Sequence, residues 1–364
     1  MPPRIALILS NLRAEGGPAL AADLAQVWLS QERANPIALI LNSDDMTMRD
    51  RFDAMGIPII DAAVGAISPK RYPIIAGRLR QVLKANQVEA IVSIPNGVHG
   101  AIFAGAALAG ISRRVVHLGN YPWHWQSDFW KYRFLMHASA PLTPDLVCVT
   151  DHVAEGARTH FGHVARRLHV VPNGVDLSAF DFRGDPQPTN SPRVLIVARI
   201  DSGKDHASLI SAVGLLKDQG VNASLDIVGE GSLREELERQ VAQAGLEDRV
   251  HFLGRRRDIP NLLREADVFA FSVRPEEGLG IALVEAMAVG TPIVATDVGA
   301  CREVLAGGKC GLLVPEDSPK ALAEAIYSAA SAPDVAKIRA ARERAETVYS
   351  QTAMANGYAE ILGI

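Results

Sequence analysis

The chain predicts an α/β protein built from two doubly wound parallel sheets. Three observations carry that expectation. Short apolar runs alternate with longer helical patterns from one end to the other; the alternation halts at residues 181–192 and then restarts; and 364 residues are too many for one ordinary core.

In the first half, IALIL at 5–9 is followed by a glycine turn and a helical pattern over about 18–31. PIALIL (36–41), EAIVSI (89–94), RVVHL (114–118), DLVCVT (145–150) and HVVP (169–172) read as further strands. Their apolar character is continuous rather than alternating, as expected of parallel strands covered on both faces. VPNGVD (171–176) is a turn signature at the expected junction, and DFRGDPQPTNSP (181–192), rich in Pro, Asp and Gly, reads as a linker or long surface loop. The second set of strands is RVLIVAR (193–199), SLDIVG (224–229), RVHFLG (249–254), VFAFS (268–272), PIVAT (292–296) and GLLV (311–314). Helical patterns lie between them, such as 233–245, where Leu233, Leu237 and Val241 share one face. From about 335 onward the chain reads as helix. Two such halves predict a first domain over 1–175 and a second over 176–344, with a cleft between them. In doubly wound sheets ligands bind beyond the carboxyl ends of the strands, so the loops there are where chemistry is expected.

The bulk numbers exclude several classes. With 48% hydrophobic and 21% charged residues the composition is that of a soluble globular protein. A formal net charge of −4 gives no general basic footprint for nucleic acid. Cys148, Cys301 and Cys310 are widely spaced with no Cys-x-x-Cys, so neither a disulfide framework nor a cysteine zinc site is expected. No signal-peptide pattern and no run of 18 apolar residues occurs, which points to the cytoplasm and leaves attachment to a membrane surface open.

The richest stretch is EEGLGIALVEAMAVGTPIVATDVGACREV (276–304). Glu277 lies on a loop, Gly278 and Gly280 open a short apolar helix, Glu285 lies inside it, and Gly290 and Pro292 end it before a β-branched strand. A helix N-terminus favours anions through its free N–H groups and its dipole. The segment therefore suits a phosphate flanked by two carboxylates. A nucleotide-sugar is such a ligand: its pyrophosphate wants N–H groups and cations, its hydroxyls want carboxylates. A capping glutamate and a solvated helix residue are the plainer readings. Against the latter, Glu285 stands in an apolar run, where a carboxylate needs partners that a ribose diol supplies.

Other residues extend this reading. In ARIDSGKDHASL (198–209), Arg199 and Lys204 follow the first strand of the second domain and suit a pyrophosphate, by a bidentate fork and a point charge; two surface cations near a turn are the alternative. Gly229 and Gly231 in VGEGSL allow backbone to approach a ligand, although many β-α turns carry glycine. Gly16 and Gly17 lie between the first strand and the first helix, where a sugar or phosphate would meet backbone N–H groups, but the spacing is not Gly-x-Gly-x-x-Gly. Its absence argues against a nicotinamide oxidoreductase. No Asp-x-Asp occurs, so no divalent metal is expected to hold a diphosphate, and Arg199 and Lys204 would supply the neutralising charge. YPWHWQSDFWKYRF (121–134) holds Trp123, Trp125 and Trp130 among basic residues, which suits sugar stacking, a membrane interface or plain core packing.

Taken together, VVPNGVDLSAF, VARIDSGKDHASLI, IVGEGSLREELE, VHFLG, EEGLGIALVEAMAVGTPIVAT and GLLVP resemble, in order and spacing, the retaining glycosyltransferases of family 4 (glycosyl transferases group 1). The resemblance implies the GT-B architecture of two Rossmann-like domains facing across a cleft, with the C-terminal helix, about 345–364, crossing back onto the first. It implies that Arg199 and Lys204 bind the donor pyrophosphate, Glu285 the ribose and Glu277 the donor sugar. The backbone at Gly278, Leu279 and Gly280 would bind sugar hydroxyls and phosphate, the turns at 228–231 and at Gly254 and Arg255 would flank the base, and Gly16 and Gly17 would face the phosphate. It implies a nucleoside diphosphate sugar as co-substrate without other cofactor, a glycan or lipid-linked acceptor, and a place in polysaccharide or glycolipid biosynthesis. A degenerate nucleotide-sugar-binding protein is the alternative. Two departures stand out. The family's first-domain histidine has no direct counterpart, His117 falling about two residues early and His99 competing for the role, and Leu279 takes a place usually aromatic.

Overall fold

The computed structural model describes residues 2–95, 98–122, 129–143, 145–162 and 167–364, so Trp123 and Trp125 lie outside the described residues. The chain divides into two compact units, Met1–Gly174 with Gln351–Ile364, and Val175–Ser350.

The first unit has strands β1 (Arg4–Leu9), β2 (Asn35–Ile40), β3 (Ile59–Asp61), β4 (Ala90–Ser93), β5 (Arg113–Leu118), β6 (Asp145–Cys148) and β7 (Arg167–Val170). They form one parallel sheet in the order β3-β2-β1-β4-β5-β6-β7. Its helices are α1 (Gly16–Ser30), α2 (Arg49–Ala54), α3 (Tyr72–Ala85), α4 (His99–Leu108), α5 (Phe129–Ser139) and α6 (Asp151–Phe161). A parallel sheet must bury both faces, which explains why Ile5, Leu7 and Leu9 and their alternates Ala6 and Ile8 are all buried. One face is covered by α1 and, from the far end of the chain, by the final helix. The indole of Trp28 on α1 is fully buried there and donates to the carbonyl of Ala355 at 3.0 Å.

The second unit has β8 (Arg193–Val197), β9 (Ser224–Val228), β10 (Val250–Gly254), β11 (Val268–Phe271), β12 (Ile293–Thr296) and β13 (Leu312–Val314), in the parallel order β10-β9-β8-β11-β12-β13. Between and after them run α7 (His206–Asp218), α8 (Arg234–Gln243), α9 (Ile259–Glu265), α10 (Ile281–Val289), α11 (Gly299–Val304), α12 (Pro319–Ser331) and α13 (Val335–Val348). The last helix, α14 (Gln351–Leu362), belongs to the first unit. Strand order reverses at β1/β4 in the first sheet and at β8/β11 in the second. Loops leaving such adjacent strands splay apart and open a crevice for ligands. Among the described residues no helix is long and apolar enough to cross a membrane.

Candidate functional site

At the β8/β11 reversal two loops run side by side. The amide of Asp205 donates to Ser272 at 3.0 Å, that of Arg274 to Gly203 at 3.2 Å, and Lys204 and Val273 form an isolated antiparallel bridge. Asp205 also caps α7, its carboxylate accepting from the Ser208 amide at 3.2 Å. This clamp places Lys204, from one loop, against Glu277, from the other. The ammonium pairs with Glu277 Oε2, and Glu277 Oε1 accepts from the Gly278 amide at 3.2 Å. Side-chain exposures of 16% and 11% set the pair apart from the surface ion pairs around it. Lys204 Nζ also lies 5.4 Å from the centre of the Phe271 ring, which gives the cation an apolar, polarisable floor.

The pair stands at the start of α10, whose entry is fixed by glycine. Gly280 has φ +82°, and a Cβ there would come within 2.6 Å of Phe271. The helix ends at Gly290, also at φ +82°, where a Cβ would strike Phe182 at 2.3 Å. Leu279 is buried between the two loop glycines. One turn inside α10, Glu285 is half-buried and makes no hydrogen bond or ion pair to any described residue; burial pushes its carboxyl up to about 7. Beneath the pair, burial and then the Glu277 charge hold the Cys301 thiol well above its usual value, so it stays protonated and inert.

Arg199 departs from the expectation of two cations gathered at the strand end. Its side chain is 82% exposed, paired with Asp201 at 3.1 Å, and makes no ion pair with Glu277. The chain turns between them, the Lys204 amide donating back to the Asp201 carbonyl at 3.1 Å, and the two cations take different partners. The glycines of the 228–231 turn also have a partner that the sequence did not suggest. A Cβ on Gly229 would lie 1.9 Å from the Ala198 carbonyl oxygen, and one on Gly231 would lie 2.1 Å from that of Ile200. The close backbone approach they permit is to the neighbouring β8 loop, not to open space. Gly254, at φ +66°, continues the row, with its carbonyl accepting from the Gly229 amide at 2.9 Å, and Arg255 beside it is exposed.

Sequence reasoning passed over two groups here. Arg274 faces Asp317 at 3.4 Å and Asp205 at 3.9 Å, and is a second cation at the mouth of the β11 loop. His206 is buried at the start of α7, and burial, with the nearby Lys204 charge, pushes it down to about 4, so it is neutral. An arginine two residues before the Glu-Glu dipeptide was the available signal for the first; nothing marked the second.

In the first unit, the switch-point loops place Gly16 and Gly17 at the start of α1, where a Cβ on Gly17 would lie 3.0 Å from Ile94 just after β4. His117 and His99 both have internal partners. His117 Nδ1 lies 2.7 Å from the Tyr358 hydroxyl on α14, and His99 Nδ1 lies 3.0 Å from Ser93 Oγ. Burial pushes His117 down to about 4; burial and then the His117 charge push His99 down to about 3. Both are neutral imidazoles at ordinary pH. Trp130 is 68% exposed on α5 and is no part of the core. Among the described residues no group of three His, Cys, Asp or Glu side chains is placed to hold a metal ion.

The fold and site together are those of a two-unit α/β protein with a lysine–glutamate pair at the topological switch point of its second sheet, beside a glycine-started helix. Two family models match it, Glycosyl transferases group 1 over residues 179–347 and Glycosyltransferase Family 4 over 40–179. The chain belongs to this glycosyltransferase family. It is similar to the putative glycosyltransferase EpsF of Bacillus subtilis (strain 168), 33% identical over 216 residues, 54% of each chain. It is also similar to a GDP-mannose-dependent alpha-(1-6)-phosphatidylinositol dimannoside mannosyltransferase of Mycobacterium tuberculosis, 34% identical over 221 residues, 58% of this chain and 55% of that one. The chain thus spans about half the length of the curated relatives it matches. In fold it resembles Anabaena HepE, solved with UDP and glucose, with TM-score 0.81, 19% identity and 99% of both chains covered. The lipopolysaccharide glycosyltransferase WaaG gives TM-score 0.74 at 18% identity, covering 99% of this chain and 100% of that one.

Proposed function

We propose that the protein is a retaining glycosyltransferase that moves a hexosyl group from a nucleoside diphosphate sugar to a glycan or lipid-linked acceptor, without a divalent metal, in the cytoplasm at the inner face of the membrane. The observation that carries this is the half-buried Lys204–Glu277 pair at the β8/β11 switch point, one loop from the start of α10. That HepE is solved with UDP and glucose, and that one relative is named as GDP-mannose-dependent, supports a nucleoside diphosphate sugar without choosing the base.

On this reading the residues divide the donor between them. The diphosphate takes Lys204 and the first N–H groups of α10, and Arg199 swings from Asp201 to the outer phosphate oxygens. As the diphosphate engages Lys204, Glu277 is released toward the sugar hydroxyls. Glu285 accepts from the ribose, whose hydroxyls are neutral donors able to satisfy a half-buried carboxyl. Gly278, Leu279 and Gly280 line the phosphate and sugar, and Gly229, Gly231, Gly254 and Arg255 lie by the base. Cleavage of the bond between the sugar carbon and the phosphate oxygen builds positive charge on the sugar and negative charge on the departing diphosphate. Fixed cations and a helix N-terminus stabilise that negative charge without reorganising. The acceptor oxygen attacks from the face the diphosphate leaves, giving its proton to a phosphate oxygen. Glu277 and Glu285 are recognition groups, eight positions apart on a loop and a helix, rather than the paired acid and nucleophile of a glycoside hydrolase.

The test is transfer measured over UDP-, GDP- and ADP-sugars. With the accepted donor, Lys204→Ala and Glu277→Ala should each lower transfer by about 10²-fold or more while circular dichroism stays unchanged. Transfer at the wild-type rate by both variants would overturn the site assignment. EDTA should leave the rate unchanged; a rate abolished by EDTA and restored by a divalent ion contradicts the metal-free reading.

A further inference from the structure

Beyond the carboxyl ends of β9 and β10 the second unit holds charged side chains that the diphosphate and the sugar do not use. Two turns meet there. The Gly229 amide, just after β9, donates to the Gly254 carbonyl, at the end of β10, at 2.9 Å. Glu230 stands in the first turn and Arg255 follows the second. The turns are close enough that a Cβ on Gly254 would lie 3.1 Å from Glu230 Oε1.

Glu230 is an acceptor held in place. Arg234, on α8, donates to its Oε1 at 2.5 Å. Arg234 is itself fixed, its Nε donating to Glu238 at 2.8 Å and its guanidinium lying 5.7 Å from the centre of the Phe252 ring. Glu230 Oε2 has no hydrogen bond to any described residue, and each carboxylate oxygen can accept two. The other turn supplies donors. Residues 255–257 are three consecutive exposed arginines. Arg256 is committed to Asp258 by two bonds of 2.8 and 2.6 Å. Arg255 and Arg257 make no ion pair or hydrogen bond with any described residue. An open acceptor and an open arginine fork therefore stand on adjoining turns, where the base of the donor would lie.

The bases differ in what they offer such a pair. Guanine presents two adjacent acceptors, O6 and N7, which match two N–H groups of one guanidinium. It also presents two adjacent donors, N1–H and the N2 amino group, which match the two oxygens of one carboxylate. Adenine has an amino group where guanine has O6, so an arginine there meets a donor, and its N1 has no proton for a carboxylate. Uracil has one N–H between two carbonyls, so it gives one bond to each side chain.

We propose that the site takes a guanosine diphosphate sugar, with Arg255 reading O6 and N7 of guanine and Glu230 reading N1–H and the amino group. The proposal rests on the donor reading above and names the base that it leaves open.

The experiment is calorimetric titration of the full chain with GDP, UDP, ADP and IDP, whose hypoxanthine base lacks the amino group. The wild type should bind GDP about ten-fold or more tighter than UDP or ADP, with IDP between them. Arg255→Ala and Glu230→Gln should each weaken GDP by about ten-fold or more and leave UDP within about three-fold, so that the preference collapses. Neither side chain is buried, and melting curves check that the variants fold. Arg257→Ala is the comparison: it removes a cation without a base contact, so the four nucleotides shift alike and the GDP preference persists. UDP or ADP bound as tightly as GDP overturns the proposal and leaves the donor reading intact. Folded Arg255 and Glu230 variants that keep the wild-type preference overturn it in the same way. Binding of none of the four nucleotides overturns the donor reading and the proposal together.

Discussion

Glu285 carries a charge that the second unit does not satisfy by itself. Its folded value of about 7 lies above the value near 4.5 of an unfolded glutamate, so the folded state holds the proton more tightly. The contribution to stability is therefore favourable below about pH 4.5, where both states are protonated, and is lost as pH rises through about 7. Glu285→Gln should melt higher than wild type at pH 8, with a difference that shrinks as pH falls toward 5. A difference independent of pH would show that the carboxyl is not penalised by burial. The same substitution should weaken nucleoside binding, because stability and recognition are opposed at this residue. The identities of Lys204, Glu277 and Glu285 as candidates were legible from residue type and spacing. Their geometry was not: the Lys204–Glu277 pair joins residues 73 apart, and only the strand order brings their loops together. The exposed pairing of Arg199 with Asp201, away from the Lys204–Glu277 pair, was not legible either, because no residue pattern announces which neighbour an arginine fork takes.

Among the elements, α10 with its leading loop does most to position the site. Its first cap needs a residue at φ +82° within 2.6 Å of where Phe271 stands, so only glycine fits. Gly280→Ala should destabilise the second unit by about 1–3 kcal/mol and move the start of α10 against Phe271. Nucleotide affinity should fall together with the melting temperature. An alanine variant with both unchanged would mean that the loop can take another path. Elements with a strong periodic or apolar signal were legible: every long run read as a strand is a strand, and α10 ends at Gly290 as its glycine and Pro292 indicate. The strand that escaped, β3, has three residues at the sheet edge and too little sequence to show a pattern. The glycines at 229 and 231 were legible as sites of close approach, but the partner, a neighbouring loop of the same sheet, is a tertiary fact.

In the molecule as a whole, the first unit is closed by a segment from the other end of the chain. α14 supplies the carbonyl that accepts from Trp28, the hydroxyl beside His117, and Gln351, whose amide donates to the Asp23 carbonyl at 3.3 Å. Tyr358 is fully buried, so Tyr358→Phe leaves His117 Nδ1 without its partner and should cost about 1–3 kcal/mol of stability in the first unit. A melting transition unmoved by that change would mean the histidine finds another partner at no cost. The restart of the α/β pattern after 192 made two sheets legible. The sequence pattern and the family resemblance lead to the expectation of a first domain over 1–175 joined by a helix at about 345–364; the packing puts the passages at 174/175 and 350/351, where the charged α13 gives way to the more apolar α14. The central claim is that the second unit holds a nucleoside diphosphate sugar at Lys204, and calorimetric titration of wild type and Lys204→Ala with UDP, GDP and ADP tests it most directly. Saturable binding of at least one nucleotide by the wild type, weakened about ten-fold or more in the folded variant, is the predicted result. No binding by the wild type, or equal affinity in both proteins, would contradict it.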